Sequence, residues 1–238
     1  MNGRIGLVGS GEFTPTTEDV DVTLLEQVDR RVVFLPTAAA LEGTDRISYW
    51  VELGLAHYAR LGVEASPLMV LDRASADNSE LAAQVASAGL IYLSGGDPTY
   101  LATTIVGSRV GAAIVAAWRS GTSVAGCSAG AIALMEDVPD IRQGPGDAVA
   151  GLGLVPAMRV IPHLDRIERW MPGAVQRAID RTPPGVQLVG IDEDTAVVGG
   201  PREWRVMGRG SAWLLSVPGA PLRYGDGAAL ALSGAPGG

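Results

Sequence analysis

The sequence has no lysine, so all 18 of its basic residues are arginine. That absence excludes pyridoxal and other Schiff-base chemistry, the P-loop lysine and Ser–Lys hydrolases. Cys127 is the only cysteine, which rules out an internal disulfide and favours a reducing, intracellular setting. With only His57 and His163 beside it, a His/Cys zinc site is not expected. Neither a metal nor any other cofactor is anticipated. No apolar run reaches the roughly 18 residues that a membrane span needs. The start, Met1-Asn2-Gly3-Arg4, runs straight into a strand-like segment without a signal-peptide layout, so a cytoplasmic location is expected. Basic residues are outnumbered by 26 acidic ones, and the net charge of −8 argues against nucleic acid or an anionic membrane surface as partner.

What is present suits one α/β domain. The chain has 238 residues, and 47% of them are apolar, enough for a sizeable core. Residues 1–224 are read as a single domain and 225–238 as a Gly/Ala-rich tail. Strand-like runs at 4–9, 32–37, 63–71 and 89–94 alternate with helical segments at 44–61, 77–88, 99–105 and 109–119. Buried apolar strands alternating with helices predict a mostly parallel, doubly wound sheet in a three-layer αβα sandwich. The later part, with Trp204–Met207 and Ser211–Val217, reads as an antiparallel C-terminal strand pair.

The most informative stretch is Gly126-Cys127-Ser128-Ala129-Gly130. A β-branched run precedes it and an apolar, helix-favouring run follows. Strand, G-x-S-x-G, helix is the layout of a nucleophile elbow. Such a turn presents Ser128 Oγ above the sheet and leaves the Ala129 amide free at a helix N-terminus, half of an oxyanion hole. Gly9–Glu12 and Gly95–Pro98 also end strands, so the three turns should share one rim, where such sheets bind ligands. The first, Gly6-Leu7-Val8-Gly9-Ser10-Gly11, is G-x-x-G-x-G and not G-x-G-x-x-G, so no dinucleotide site is expected.

A serine nucleophile needs a base and an acid to orient it. His57 lies mid-helix along a sheet face and reads as a packing residue. His163 follows a strand and Pro162, where a side chain is presented, and is the better base. Asp192-Glu193-Asp194 sits between two apolar runs; spacing does not choose among the three, and a solvated turn or a magnesium site are alternatives.

These residues together resemble the aspartyl dipeptidase/cyanophycinase family of serine peptidases. The matching segments are Gly6–Gly11, Gly95-Gly96-Asp97, Ala125–Ala131, Ile161-Pro162-His163, Gly190–Ala196 and Gly199-Gly200. They run in order over residues 4 to 217. The resemblance implies Ser128 as nucleophile, His163 as base and Glu193 as the acid, with oxyanion amides from Gly96 and Ala129. It also implies a fold related to class I glutamine amidotransferases and a small peptide substrate. Asp97 would line the pocket, and an arginine of the segment after His163, which carries Arg166, Arg169 and Arg177, would hold a substrate carboxylate. Pro98 departs from the Gln or Asn often found after Gly-Gly-Asp. Cys127, one residue ahead of the elbow's centre, should be a buried small hydrophobe.

Rival readings are an esterase, a non-catalytic relative binding a small metabolite at the same rim, and an amidotransferase working through Cys127. The first has its His last in the chain, unlike this one. Trp118, Trp170, Trp204 and Trp213 leave room for the apolar face of a homodimer.

Overall fold

Short aliphatic and β-branched runs form the main sheet in the computed structural model, which describes residues 1–139, 148–200, 203–217 and 219–230. Strands β1 (Ile5–Val8), β2 (Arg31–Leu35), β3 (Glu64–Pro67), β4 (Leu90–Leu93) and β5 (Ser123–Cys127) run parallel, in the spatial order β1-β5-β4-β2-β3. Pro67 is accommodated because β3 is the sheet's edge. The helices between them are α1 (Glu18–Leu24), α2 (Thr44–Arg60), α3 (Arg73–Ala76), α4 (Ser79–Val85), α5 (Pro98–Ile105) and α6 (Arg109–Arg119), followed after β5 by α7 (Ala129–Ala133).

Alternation along each strand feeds two cores. Ile5, Leu7, Val33, Leu35, Ile91, Leu93 and Val124 pack with residues of α4, α5 and α6, such as Val85, Leu101 and Ile114. Val8, Val32, Phe34, Leu90, Tyr92, Ala125 and Cys127 pack on the other face with Val20 and Leu24 of α1 and Tyr58 of α2. Both sheet faces are therefore covered, as a parallel sheet requires, and the three-layer α/β sandwich follows. Among the described residues no single helix is long and apolar enough to cross a membrane; α5 and α6 together have the length, but meet at a 90° bend.

The second half adds β6 (Asp137–Pro139), β7 (Ala148–Ala150), β8 (Met158–Ile161), helices α8 (Leu164–Trp170) and α9 (Ala174–Asp180), then β9 (Gln187–Ile191) and β10 (Thr195–Gly199). Strands β11 (Trp204–Gly208), β12 (Ala212–Leu214), β13 (Leu222–Tyr224) and β14 (Ala229–Leu230) complete the set. Strands β10, β11 and β14 extend the main sheet antiparallel beyond β1. A second sheet has the order β13-β12-β9-β8, with β8 and β9 parallel.

One expectation needs correcting. The C-terminal strands are antiparallel, but β11 and β12 do not pair with each other. β11 joins β10 and β14, whereas β12 joins β9 and β13 in the other sheet. The reason lies at residues 208–210, whose chain is held by another turn instead of closing a hairpin. The Arg209 amide donates to Asp194 O, and the Gly210 amide donates to Thr195 Oγ1. Past Tyr224 the chain re-enters the main sheet at β14; the rest of the expected tail, residues 231–238, lies outside the described residues.

Candidate active site

Strand register decides which side chains can meet. Val8, at the end of β1, is opposite both Cys127 of β5 and Ala196 of β10. Ser128, just after β5, and the Asp192–Asp194 turn, just before β10, therefore stand on the same edge. The Gly9 amide donates to Thr195 O at 2.8 Å and closes that edge. In the second sheet Ile161 of β8 is opposite Gly190 of β9, so the exits of these parallel strands bring His163 beside Glu193. The turn from β9 to β10 joins the two sheets and carries the acid to the rim of the first.

Ser128 has φ 50° and ψ −109°, a conformation unfavourable for an L residue, as a nucleophile elbow demands. The tightness of the turn explains its glycines. A Cβ on Gly126 would lie 2.3 Å from the carbonyl carbon of Gly130, and one on Gly130 would lie 2.1 Å from Leu93 O. The Ser128 amide is bonded to Val8 O at 2.9 Å, which fixes the elbow to β1. His163, in the left-handed region at φ 53° and ψ 38°, places Nε2 3.0 Å from Ser128 Oγ and Nδ1 3.1 Å from Glu193 Oε1. With its proton on Nδ1, donated to the carboxylate, the imidazole leaves Nε2 free to accept from the hydroxyl. The His163 and Glu193 side chains are only 22% and 31% exposed.

The three consecutive acids diverge. Asp192 accepts from the Ser211 amide and from Trp213 Nε1, and burial pushes its pKa up. Asp194, at φ 52°, accepts from Thr16 Oγ1. Glu193 alone faces the imidazole, and its second oxygen is 3.3 Å from Nε of Arg166. Arg166 also pairs with Asp165, whose other oxygen takes the Glu193 amide. Arg166 thus turns inward onto the acid, and Arg177 donates to Pro172 O. Arg169 is exposed and makes no ion pair among the described residues. Trp170, 55% exposed, lies edge-on to the His163 ring at 5.3 Å between centroids, a place at the site that its sequence position, suggestive only of a dimer face, does not reveal.

The two amides expected to hold an oxyanion lie in the turns that follow β4 and β5. Ala129 is the first residue of α7, so its N–H has no acceptor within the helix. Gly96 has φ 141°, and a Cβ there would lie 2.3 Å from Ala38 O, so only glycine fits this close approach. Asp97 caps α5 through Oδ1, which takes the Tyr100 amide at 2.9 Å. Pro98 occupies the first helical position, where a missing N–H costs no helix bond.

The family model for peptidase family S51 matches residues 5–204. This chain belongs to that family. An S51 member is a serine-type peptidase, and the fold comparisons agree with the assignment. A peptidase from an acI-B1 Actinobacterium is 38% identical, with a TM-score of 0.90 and coverage of 98% of each chain. A protein from Listeria monocytogenes EGD-e, described as a candidate peptidase E, shares the fold at a TM-score of 0.65 and 19% identity, over 88% of this chain and 100% of its own. A search of curated proteins found no match.

In this S51 peptidase the thiol of Cys127 is not a nucleophile in waiting. It is fully buried, and burial, then the nearby Glu12 carboxylate, raises its pKa well above the ordinary 9.0. It stays protonated and donates to Glu12 Oε2 at 2.7 Å, a polar role beyond the hydrophobic packing expected of it. His57 is also fully buried, and its ring nitrogens meet Asp21 Oδ2 at 2.7 Å and Arg60, not Ser128. Of the four tryptophans considered for a dimer face, Trp204 is buried, while Trp118 and Trp213 donate their Nε1–H groups to Gly3 O and Asp192 within the chain. Trp170 alone is largely exposed. A groove of about 360 Å³ along α6, lined by residues such as Val106, Val115 and Leu152, includes none of the rim residues.

Proposed function

We propose that this S51 peptidase cleaves peptide or isopeptide bonds in small, Asp-containing peptides through Ser128, His163 and Glu193. One observation carries the reading: a continuous hydrogen-bonded chain from Ser128 Oγ through both imidazole nitrogens to a carboxylate, at 3.0 and 3.1 Å. His163 takes the proton of Ser128 as Oγ attacks the scissile carbonyl. Glu193, itself held by Arg166, stabilises the imidazolium that forms. The tetrahedral oxyanion rests on the amides of Ala129 and Gly96. His163 then protonates the leaving amine, and water hydrolyses the acyl-enzyme by the same route in reverse.

The preference for an acidic side chain rests on the arginines after His163. Since Arg166 is engaged by Glu193 and Asp165, Arg169 is the side chain best suited to a substrate carboxylate. A dipeptide library screened with wild type and Ser128→Ala in parallel tests the proposal. Cleavage confined to wild type and concentrated on peptides with an acyl-side Asp supports it. Equal hydrolysis by Ser128→Ala defeats the nucleophile assignment, and indifference to the acyl-side residue defeats the specificity.

A further inference from the structure

The turn after β1 has a part in the site that its sequence does not announce. Glu12 is only 5% exposed, and its carboxylate spans the carboxyl end of β5. Oε1 accepts from the Gly95 amide at 2.9 Å, in the turn after β4, and Oε2 accepts from Cys127 Sγ, the residue before Ser128. β1 and β4 flank β5 on either side, so one side chain ties together the three turns that meet at the elbow. The approach is close: a Cβ on Gly95 would lie 3.1 Å from Glu12 Oε1 and 3.5 Å from Ser128 Cβ.

The strut is anchored at its base. Phe13, with φ 62°, inserts its ring among Phe34, Tyr58 and Tyr92, at centroid distances of 5.4, 5.7 and 4.9 Å. Thr14 and Thr17 both donate to Gly11 O, and Thr16 donates to Asp194 in the acid turn. A carboxylate carried by a backbone held this firmly can fix what it binds.

We infer that Glu12 is a positioning residue, which sets the Gly95–Gly96 turn against the elbow so that the Gly96 amide meets the developing oxyanion. This rests on the serine-peptidase reading above. It assigns no contact between Glu12 and substrate. An amide that acts only in the transition state changes kcat without changing KM when it is misplaced.

Wild type, Glu12→Ala and Glu12→Gln are compared by the rate at which a serine-directed phosphonate labels Ser128, by steady-state cleavage of an Asp-X dipeptide, and by deuterium exchange at the Gly95 amide. Glu12→Ala should label and turn over about 10²-fold more slowly, the scale of losing one oxyanion donor. Its KM should stay within about threefold of wild type, and Gly95 should lose protection. Glu12→Gln, which keeps an acceptor for Gly95, should recover most of the rate. Should Glu12→Ala fail to fold, Glu12→Asp, one methylene shorter, is expected to show the same slow labelling. Wild-type rates in the Ala or Asp variant overturn the inference, as does a loss of rate that merely tracks a loss of folded protein. A wild type that neither takes the label nor cleaves peptides overturns the peptidase reading as well, which separates the two failures.

Discussion

Two histidines in this chain each lean on a carboxylate, and only one stands at the candidate site. His163 is 3.1 Å from Glu193, and His57 is 2.7 Å from Asp21. What differs is the second nitrogen and the surroundings. At His163 it meets the hydroxyl of Ser128 at a partly open rim. At His57 it faces the Arg60 guanidinium, which is itself held by Glu18, and the pair is sealed between α1 and α2. Arg60 can only donate, so Nδ1 of His57 accepts and its Nε2–H is given to Asp21. A His–carboxylate pair is therefore not a signature of catalysis. The third partner, and access to it, decide what the pair can do.

Substitutions should separate the two sites by readout. His163→Ala is expected to lower kcat by about 10⁴-fold or more, with little change in melting temperature. Glu193→Gln should follow with a loss of about 10²- to 10⁴-fold, because the imidazole loses the partner that fixes its tautomer. Both are measured on the same Asp-X dipeptide, and a variant retaining wild-type turnover breaks the contrast. His57→Ala should act in the opposite sense. It leaves Asp21 buried without its partner, costing on the order of 3–5 kcal/mol and lowering Tm by about 10 °C, while kcat per folded molecule is preserved. Thermal unfolding followed beside active-site titration checks both halves of that statement.

The next two effects are smaller. Burial, only partly offset by the hydrogen bond from His57, raises the pKa of Asp21 above 3.8. A carboxyl group with a raised folded pKa binds protons more readily in the native state, so its contribution to stability falls as pH rises from 3.8 through the raised value. Urea unfolding at a series of pH values should show wild type losing stability relative to Asp21→Asn over that window. A constant difference between the two would remove the argument. Cys127→Ala should lower kcat by at most about tenfold, the scale of one hydrogen bond, whereas a thiol nucleophile would make the loss complete.

The elbow was legible because its ingredients are local: a strand, a turn too tight for side chains, and a helix. The parallel sheet was legible in runs such as Val32–Leu35 and Leu90–Leu93, whose two faces are both apolar. What stayed hidden depends on partners distant in the chain. Helix α1 is short and carries Glu18, Asp19 and Asp21, and its inward face has meaning only against α2. Asp21 lies 36 positions from His57, and nothing in its neighbourhood announces a buried acid. Among Asp192, Glu193 and Asp194 the choice is made by the turn itself, where the positive φ of Asp194 ends strict alternation. The separation of β11 from β12 was equally invisible, since it arises from amides of 209 and 210 bonding to that same turn. Glu12 read as one more polar residue after a glycine turn, because a strut is visible only when both things it joins are in place.

The bend from β9 into β10 is where the small sheet hands the acid to the large one. His163 follows β8 of the smaller sheet, Glu193 sits on the joining turn, and Ser128 follows β5 of the larger sheet. Warming that loosens the seam between them would part proton acceptor from hydroxyl while most of the backbone remained ordered. Inactivation on heating should then precede the main calorimetric transition, and cooling before that transition should restore the enzyme in full.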